Sequence, residues 1–142
     1  MARPHFLLPL LRKGSGSLQL VNRTRGVVLA TTIAPAFDSQ SRRTGLLRHA
    51  ELPHDTVLAI APSNAIHTFG MHFAIDVLFV RRDGTVVKRV LDLQKRRLAA
   101  AWRGFAVLEF GAGHPGVAQT QVGDALAVAA AEEPTGERED GN

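Results

Sequence analysis

Between residues 18 and 130 apolar side chains come only in short runs, each cut off by Gly, Pro, Asn or Asp. This punctuation, with no heptad pattern and no internal repeat, is the spacing of many short strands. The clearest instance is FVRRDGTVVKRV, where Asp83-Gly84 separates two strand-like runs. Asp-Gly accepts the positive φ angles of a type I′ turn, so a β-hairpin is expected there. Leu18 to Asn22 and Gly26 to Ala34, joined by Arg23-Thr24-Arg25, predict an opening hairpin. Val57 to Ala61, Phe73 to Val80, Phe105 to Phe110 and Ala125 to Ala130 predict further strands, the last with enough alanine to suit a helix too. Asp38 or Ser39 can cap a helix over Ser39 to His49, with Leu46 and Leu47 as its apolar face and Gly45 weakening it. Leu98 to Trp102 predicts a second short helical turn. The expected class is mainly β, β-barrel-like or α+β, with about seven short strands in hairpins and one short helix near residues 39–49.

A chain of 142 residues, 45% hydrophobic and 21% charged, can bury one core unaided. It has no cysteine, which excludes disulfide scaffolds, thiol catalysis and zinc-thiolate sites. The net charge of +4 hides an asymmetry: Glu132, Glu133, Glu137, Glu139 and Asp140 crowd the C-terminus beside Arg138 alone. Of 17 basic and 13 acidic residues, residues 1–131 keep 16 and 8, a body of net charge +8. Such a body attracts acidic partners, although charge alone speaks more to association than to specific function. The opening MARPHFLLPLLRKGSGS has a six-residue apolar run broken by Pro9. A secretory signal needs about 7–15 apolar residues and a spanning helix about 20. The expectation is a flexible leader over residues 1–17 that ends in Gly14-Ser15-Gly16-Ser17, one globular domain over 18–131, and a disordered acidic tail over 132–142. No membrane span is expected. Without a convincing signal peptide the location reads as cytoplasmic, with envelope association left open.

Chemistry-bearing residues are densest in IHTFGMHFAIDVLFV, residues 66–80. Strand alternation over 71–80 places Met71, Phe73, Ile75, Val77 and Phe79 on one face, and His72, Ala74, Asp76, Leu78 and Val80 on the other. The second face is partly polar, as at the edge of a core or the wall of a pocket. His67, His72 and Asp76 are of types that bind metal, but on a strand the α-carbons of His72 and Asp76 stand roughly 13 Å apart, too far to share an ion. No metal and no cofactor are therefore expected. Asp76 lies in strongly apolar surroundings and needs a partner, either Arg42 or main-chain N–H groups, unless it serves a functional site. Arg42, His67, Thr68, His72 and Asp76 form the candidate polar cleft. No G-x-S-x-G elbow occurs, and Gly111 to Gly116 reads as a turn rather than a phosphate loop. Arg81, Arg82, Lys88, Arg89, Lys95, Arg96, Arg97 and Arg103, with Trp102 nearby, read as a solvated basic face before a nucleic-acid surface.

Four stretches in order carry a family resemblance: Arg42-x-x-Gly45-Leu46-Leu47 with Arg48; residues 66–80; the Asp-Gly hairpin with Val86 and Val87; and Val107 to Gly113 followed by Val122-Gly123-Asp124. Together they resemble domain of unknown function family 192, over about Leu18 to Val128. Ala74, where proline is common, and Leu47, where methionine is frequent, depart from its pattern. The residues that match include His67, Thr68, Phe69, Met71, Asp76, Glu109, Gly113 and Asp124. The resemblance implies a bacterial domain of predominantly β structure with no established reaction or ligand. It also implies, by association, an accessory role with a protein partner of the cell envelope or secretion machinery. The leading expectation is a non-catalytic binding or accessory module. The alternatives are a hydrolase, with or without metal assistance, that uses His67, His72 and Asp76, and a nucleic-acid module acting through residues 81–103.

Overall fold

The computed structural model describes residues 3–12, 17–38 and 52–131. Ten strands, one short α-helix and a 3-10 turn over Leu8–Leu11 lie among them. β1 (Leu18–Asn22) and β2 (Val27–Ala30) form the expected opening hairpin, but the run toward Ala34 does not continue it. After Ala30 the chain passes into another sheet as β3 (Thr32–Ala36), which pairs in parallel with β4 (Thr56–Ile60). A parallel pair needs a crossover connection, and the helix expected over Ser39 to His49 falls in that connection, outside the described residues. Arg42 lies outside them too, as do the acidic tail and most of the Gly-Ser linker.

β6 (Ile75–Val80) and β7 (Val86–Leu93) make the Asp-Gly hairpin. Its turn is not type I′, since only Gly84 has positive φ (93°) while Asp83 does not. The Gly84 N–H donates to the Arg81 carbonyl and the Thr85 N–H to the Asp83 carboxylate, so the aspartate supports the turn from its side chain. A Cβ at Gly84 would also collide with the Leu126 carbonyl, so glycine is required twice over. β9 (Ala106–Gly111) runs between β4 and β6, completing a five-stranded sheet of order β3-β4-β9-β6-β7. β10 (Leu126–Ala130) is a strand despite its alanines, because it pairs along β1 in a three-stranded sheet of order β10-β1-β2. β5 (Ala65–His67) and β8 (Leu98–Ala100) form a separate two-stranded ribbon. The helical turn expected at Leu98 to Trp102 is thus corrected to a strand: its backbone is recruited by β5, and this overrides the local alanine preference. The sheets stay open rather than closing into a barrel, and the mainly β, α+β class describes them.

All six residues of β6 and all six of β9 are buried, because the five-stranded sheet is covered on both faces. Leu78, Val80, Leu108 and Phe110 pack toward the three-stranded sheet through Leu20, Leu29, Leu126 and Val128. Ile75, Val77, Phe79 and Val107 pack the opposite way with Leu52, Leu58, Met71 and Ala99. The alternation expected along residues 71–80 holds for the strand itself, which begins only at Ile75, and its second face is core rather than pocket wall. The N-terminal stretch enters the first cluster: Leu7 is fully buried there and the Phe6 N–H donates to the Arg82 carbonyl. Part of the leader expected over residues 1–17 thus packs onto the core, because FLLPLL is apolar enough to be buried. Among the described residues no helix is long and apolar enough to cross a membrane.

Candidate binding site

Asp76 is buried on the face of β6 that looks toward the three-stranded sheet, opposite Phe110 of β9. Its Oδ1 accepts the Asp92 N–H at 2.8 Å, and its Oδ2 accepts the N–H groups of Gly113 and His114, both at 3.0 Å. Of the two partners expected, the main chain is present among the described residues; Arg42, the other, lies outside them. Two of these donors belong to residues with left-handed backbone, Asp92 at φ 54° and Gly113 at φ 85°. A non-glycine residue in that region costs free energy of order 1 kcal/mol or more and persists where surrounding contacts over-determine it. The Asp76 carboxylate supplies such a contact.

Thr68 performs the same task from the other side. It is fully buried; its Oγ1 donates to the Gln94 carbonyl at 2.6 Å and accepts the Arg97 N–H at 2.8 Å. Its own N–H donates to the Arg97 carbonyl at 2.9 Å. Between Gln94 and Arg97 stands Arg96, at φ 59° the other non-glycine residue with positive φ among those described. Asp76 thus holds β7 at Asp92, near its end, and Thr68 holds the loop from Gln94 to Arg97 that joins β7 to β8, so the two brace this strained segment from either side.

His67 and His72 are exposed and belong to neither brace. No hydrogen bond joins His67, Thr68, His72 and Asp76 to one another, and no cluster of three metal-ligating side chains occurs among the described residues. What His67 does share is a surface. It pairs across the ribbon with Leu98, which is 75% exposed, and its ring lies 5.6 Å from that of Phe69, 49% exposed. Lys95, Arg96 and Arg97, all exposed, rim this apolar tip.

Other buried polar groups hold the fold. Gly111 to Gly116 is not merely a turn between strands, since it leads into a five-residue helix, α1 (Pro115–Gln119). His114 caps that helix: Nδ1 accepts the Val117 N–H at 3.2 Å, which leaves Nε2–H to donate to the Leu29 carbonyl at 2.7 Å. Asp124 accepts from the Asn22 amide at 3.0 Å, Arg25 Nε at 2.7 Å and the Gln121 N–H at 2.9 Å. Desolvation alone would raise its pKa, but Arg25, the Gln121 amide and Asn22 outweigh that and pull it down to about 2.

Glu109 was not among the residues expected in the cleft. It sits in β9 opposite Val77 and Leu58, on the face away from Asp76, with no hydrogen-bond partner among the described residues. Desolvation pushes its pKa up to about 8, so at neutral pH it is mostly a protonated acid. The signal available in the sequence was a lone acidic residue inside the apolar run FAVLEF, the same signal that singled out Asp76.

This arrangement, open sheets around a five-stranded centre with a braced β7–β8 loop, can be set beside known proteins. The model of the uncharacterised family DUF192, described as "Uncharacterized ACR", matches residues 20–128. The chain belongs to the DUF192 family. Two solved structures share the fold. A Sinorhizobium meliloti 1021 protein named "putative transcription regulator" superposes with a TM-score of 0.67 at 20% identity, over 80% of this chain and 93% of that one. A Novosphingobium aromaticivorans DSM 12444 protein of unknown function superposes with a TM-score of 0.65 at 19% identity, over 81% and 89%. No curated protein matches the chain. DUF192 membership and these similarities bring no reaction with them; at such identities the two structures speak to the fold alone.

Proposed function

We propose that this DUF192 domain is a non-catalytic binding module whose recognition surface is the tip formed by His67, Phe69, Leu98 and the loop of Lys95, Arg96 and Arg97. One observation carries the reading: buried Thr68 binds the Gln94 carbonyl and the Arg97 N–H inside the loop that bears this tip, and buried Asp76 accepts the Asp92 N–H near the end of β7, just before that loop. Backbone strain held by buried braces is a mark of pre-organised recognition elements, and pre-organisation lowers the ordering cost of binding. An apolar centre with a charged rim is the anatomy of a protein interface. The rim is cationic, so the partner that fits is a protein with an acidic surface around an apolar socket, consistent with the envelope or secretion component that the family resemblance implies. The hydrolase alternative needs Asp76 as a free base, whereas three main-chain donors already occupy it.

A photo-crosslinking residue at position 98 of the full chain, activated in cells, tests this. A discrete protein adduct should form and should disappear in Phe69→Ser/Arg96→Glu. An adduct pattern indifferent to those changes, or no adduct at all, contradicts the reading.

A further inference from the structure

On another part of the surface a cavity of about 610 Å³ opens between the β6–β7 turn, the segment preceding β5 and the N-terminal stretch. Four arginines line it, Arg3, Arg81, Arg82 and Arg103, against a single carboxylate, Asp83. Asp83 does little to neutralise them: it lies 3.9 Å from Arg81, while its other oxygen accepts the Thr85 N–H at 2.9 Å. Among the described residues, four guanidiniums and one carboxylate leave a surplus of three positive charges around one opening. Like charges gathered in this way repel, and an oxyanion held between them reverses the sign of that energy.

The guanidiniums are also positioned. Arg82 is stacked on the Phe105 ring, 4.3 Å from its centroid, and its main-chain carbonyl is tied to the N-terminal stretch by the Phe6 N–H at 2.8 Å. Arg103 lies over the Trp102 ring at 5.1 Å, with that indole 81% exposed at the rim. Planar forks held on aromatic faces match phosphate oxygens two at a time, which an ammonium cannot do. We infer that this cavity is a binding site for a small oligophosphate, the diphosphate group of a soluble metabolite being the unit that matches three surplus charges. The inference goes beyond the binding-module reading and does not depend on it, because the tip residues do not line this cavity.

Trp102 is the single tryptophan of the chain, so its emission reports on Arg103 directly. Pyrophosphate titrated into the full-length protein at about physiological ionic strength, where diffuse surface attraction is largely screened, should give a saturable change in that emission. Arg81→Gln/Arg103→Gln should weaken the affinity at least about tenfold, the worth of one lost charge-assisted contact, when followed by calorimetry. Arg96→Gln/Arg97→Gln at the tip should leave the affinity unchanged, and thermal melts of both variants should match the parent. Equal weakening by the two pairs would show diffuse charge and overturn the site. So would the absence of saturable binding, or a preference for single-stranded RNA that far exceeds its phosphate count.

Discussion

Asp76 and Glu109 stand one strand apart in the same sheet, both buried, on opposite faces, and the fold treats them in opposite ways. The first keeps its charge environment satisfied by three main-chain N–H groups. The second has no such donors among the described residues and answers desolvation by holding its proton, with a pKa near 8. Burial by itself therefore says little about a carboxylate's role; what converges on it decides. Asp76 organises backbone, while Glu109 is a titratable group in an apolar layer.

The largest expected effect separates the two sites by mutation. Asp76→Ala leaves three donors unpaired and should lower the unfolding free energy by about 3–5 kcal/mol, read as a fall in the urea midpoint at constant slope. Asp76→Asn keeps one carbonyl acceptor but turns an amide toward a donor, so its loss should be smaller. Equal stability in the parent and both variants would dissolve the contrast with Glu109.

The next effect depends on pH. Glu109 binds its proton more tightly folded than unfolded, so stability is greatest below the ordinary carboxylate value of 4.5, declines as pH rises from there, and levels off above about 8. The slope in that window should approach about 1.4 kcal/mol per pH unit. Glu109→Gln should flatten it and stabilise the protein most at alkaline pH, as followed by urea unfolding from about pH 4 to about pH 9, which brackets the window. An unchanged slope would show that Glu109 is ionised when folded.

Thr68→Val, which removes the hydroxyl at constant shape, should cost about 1–2 kcal/mol by the same measurement. Thr68→Ser should recover most of it. The smallest effect lies at the acid end. Asp124 has a folded pKa depressed to about 2, so its contribution is complete above the ordinary value of 3.8 and is lost as pH falls through about 2. Asp124→Asn should lower stability above the ordinary value and approach the parent near pH 2, flattening the acid limb while leaving the Glu109 window in place.

How these features relate to the linear sequence differs by their range. The Asp-Gly hairpin and the strands at Thr56–Ile60 and Ala106–Gly111 follow from local apolar runs and turn residues, and they lie within a residue or two of the expected bounds. The need of Asp76 for a partner was equally visible, because one carboxylate in FAIDVLFV cannot be buried alone. Its partners were not, since Asp92, Gly113 and His114 are 16, 37 and 38 residues away. The β5–β8 ribbon escaped because three-residue strands carry too little alternation and RRLAAAW reads as helix. The arginine cavity gathers residues 3, 81–82 and 103, a set that only the tertiary fold brings together. Glu109 could have been singled out on the same grounds as Asp76, but the direction it faces is set by β9 lying between β4 and β6.

The most direct test of the claim that Asp76 and Thr68 brace one loop is amide hydrogen exchange over residues 92–97, compared among the parent, Asp76→Asn and Thr68→Val under native conditions. Exchange should accelerate at Asp92 and Arg97 in both variants, with the β1–β10 pairing as protected as before. Unchanged protection across the loop in either variant, or uniform acceleration throughout the molecule, would contradict it.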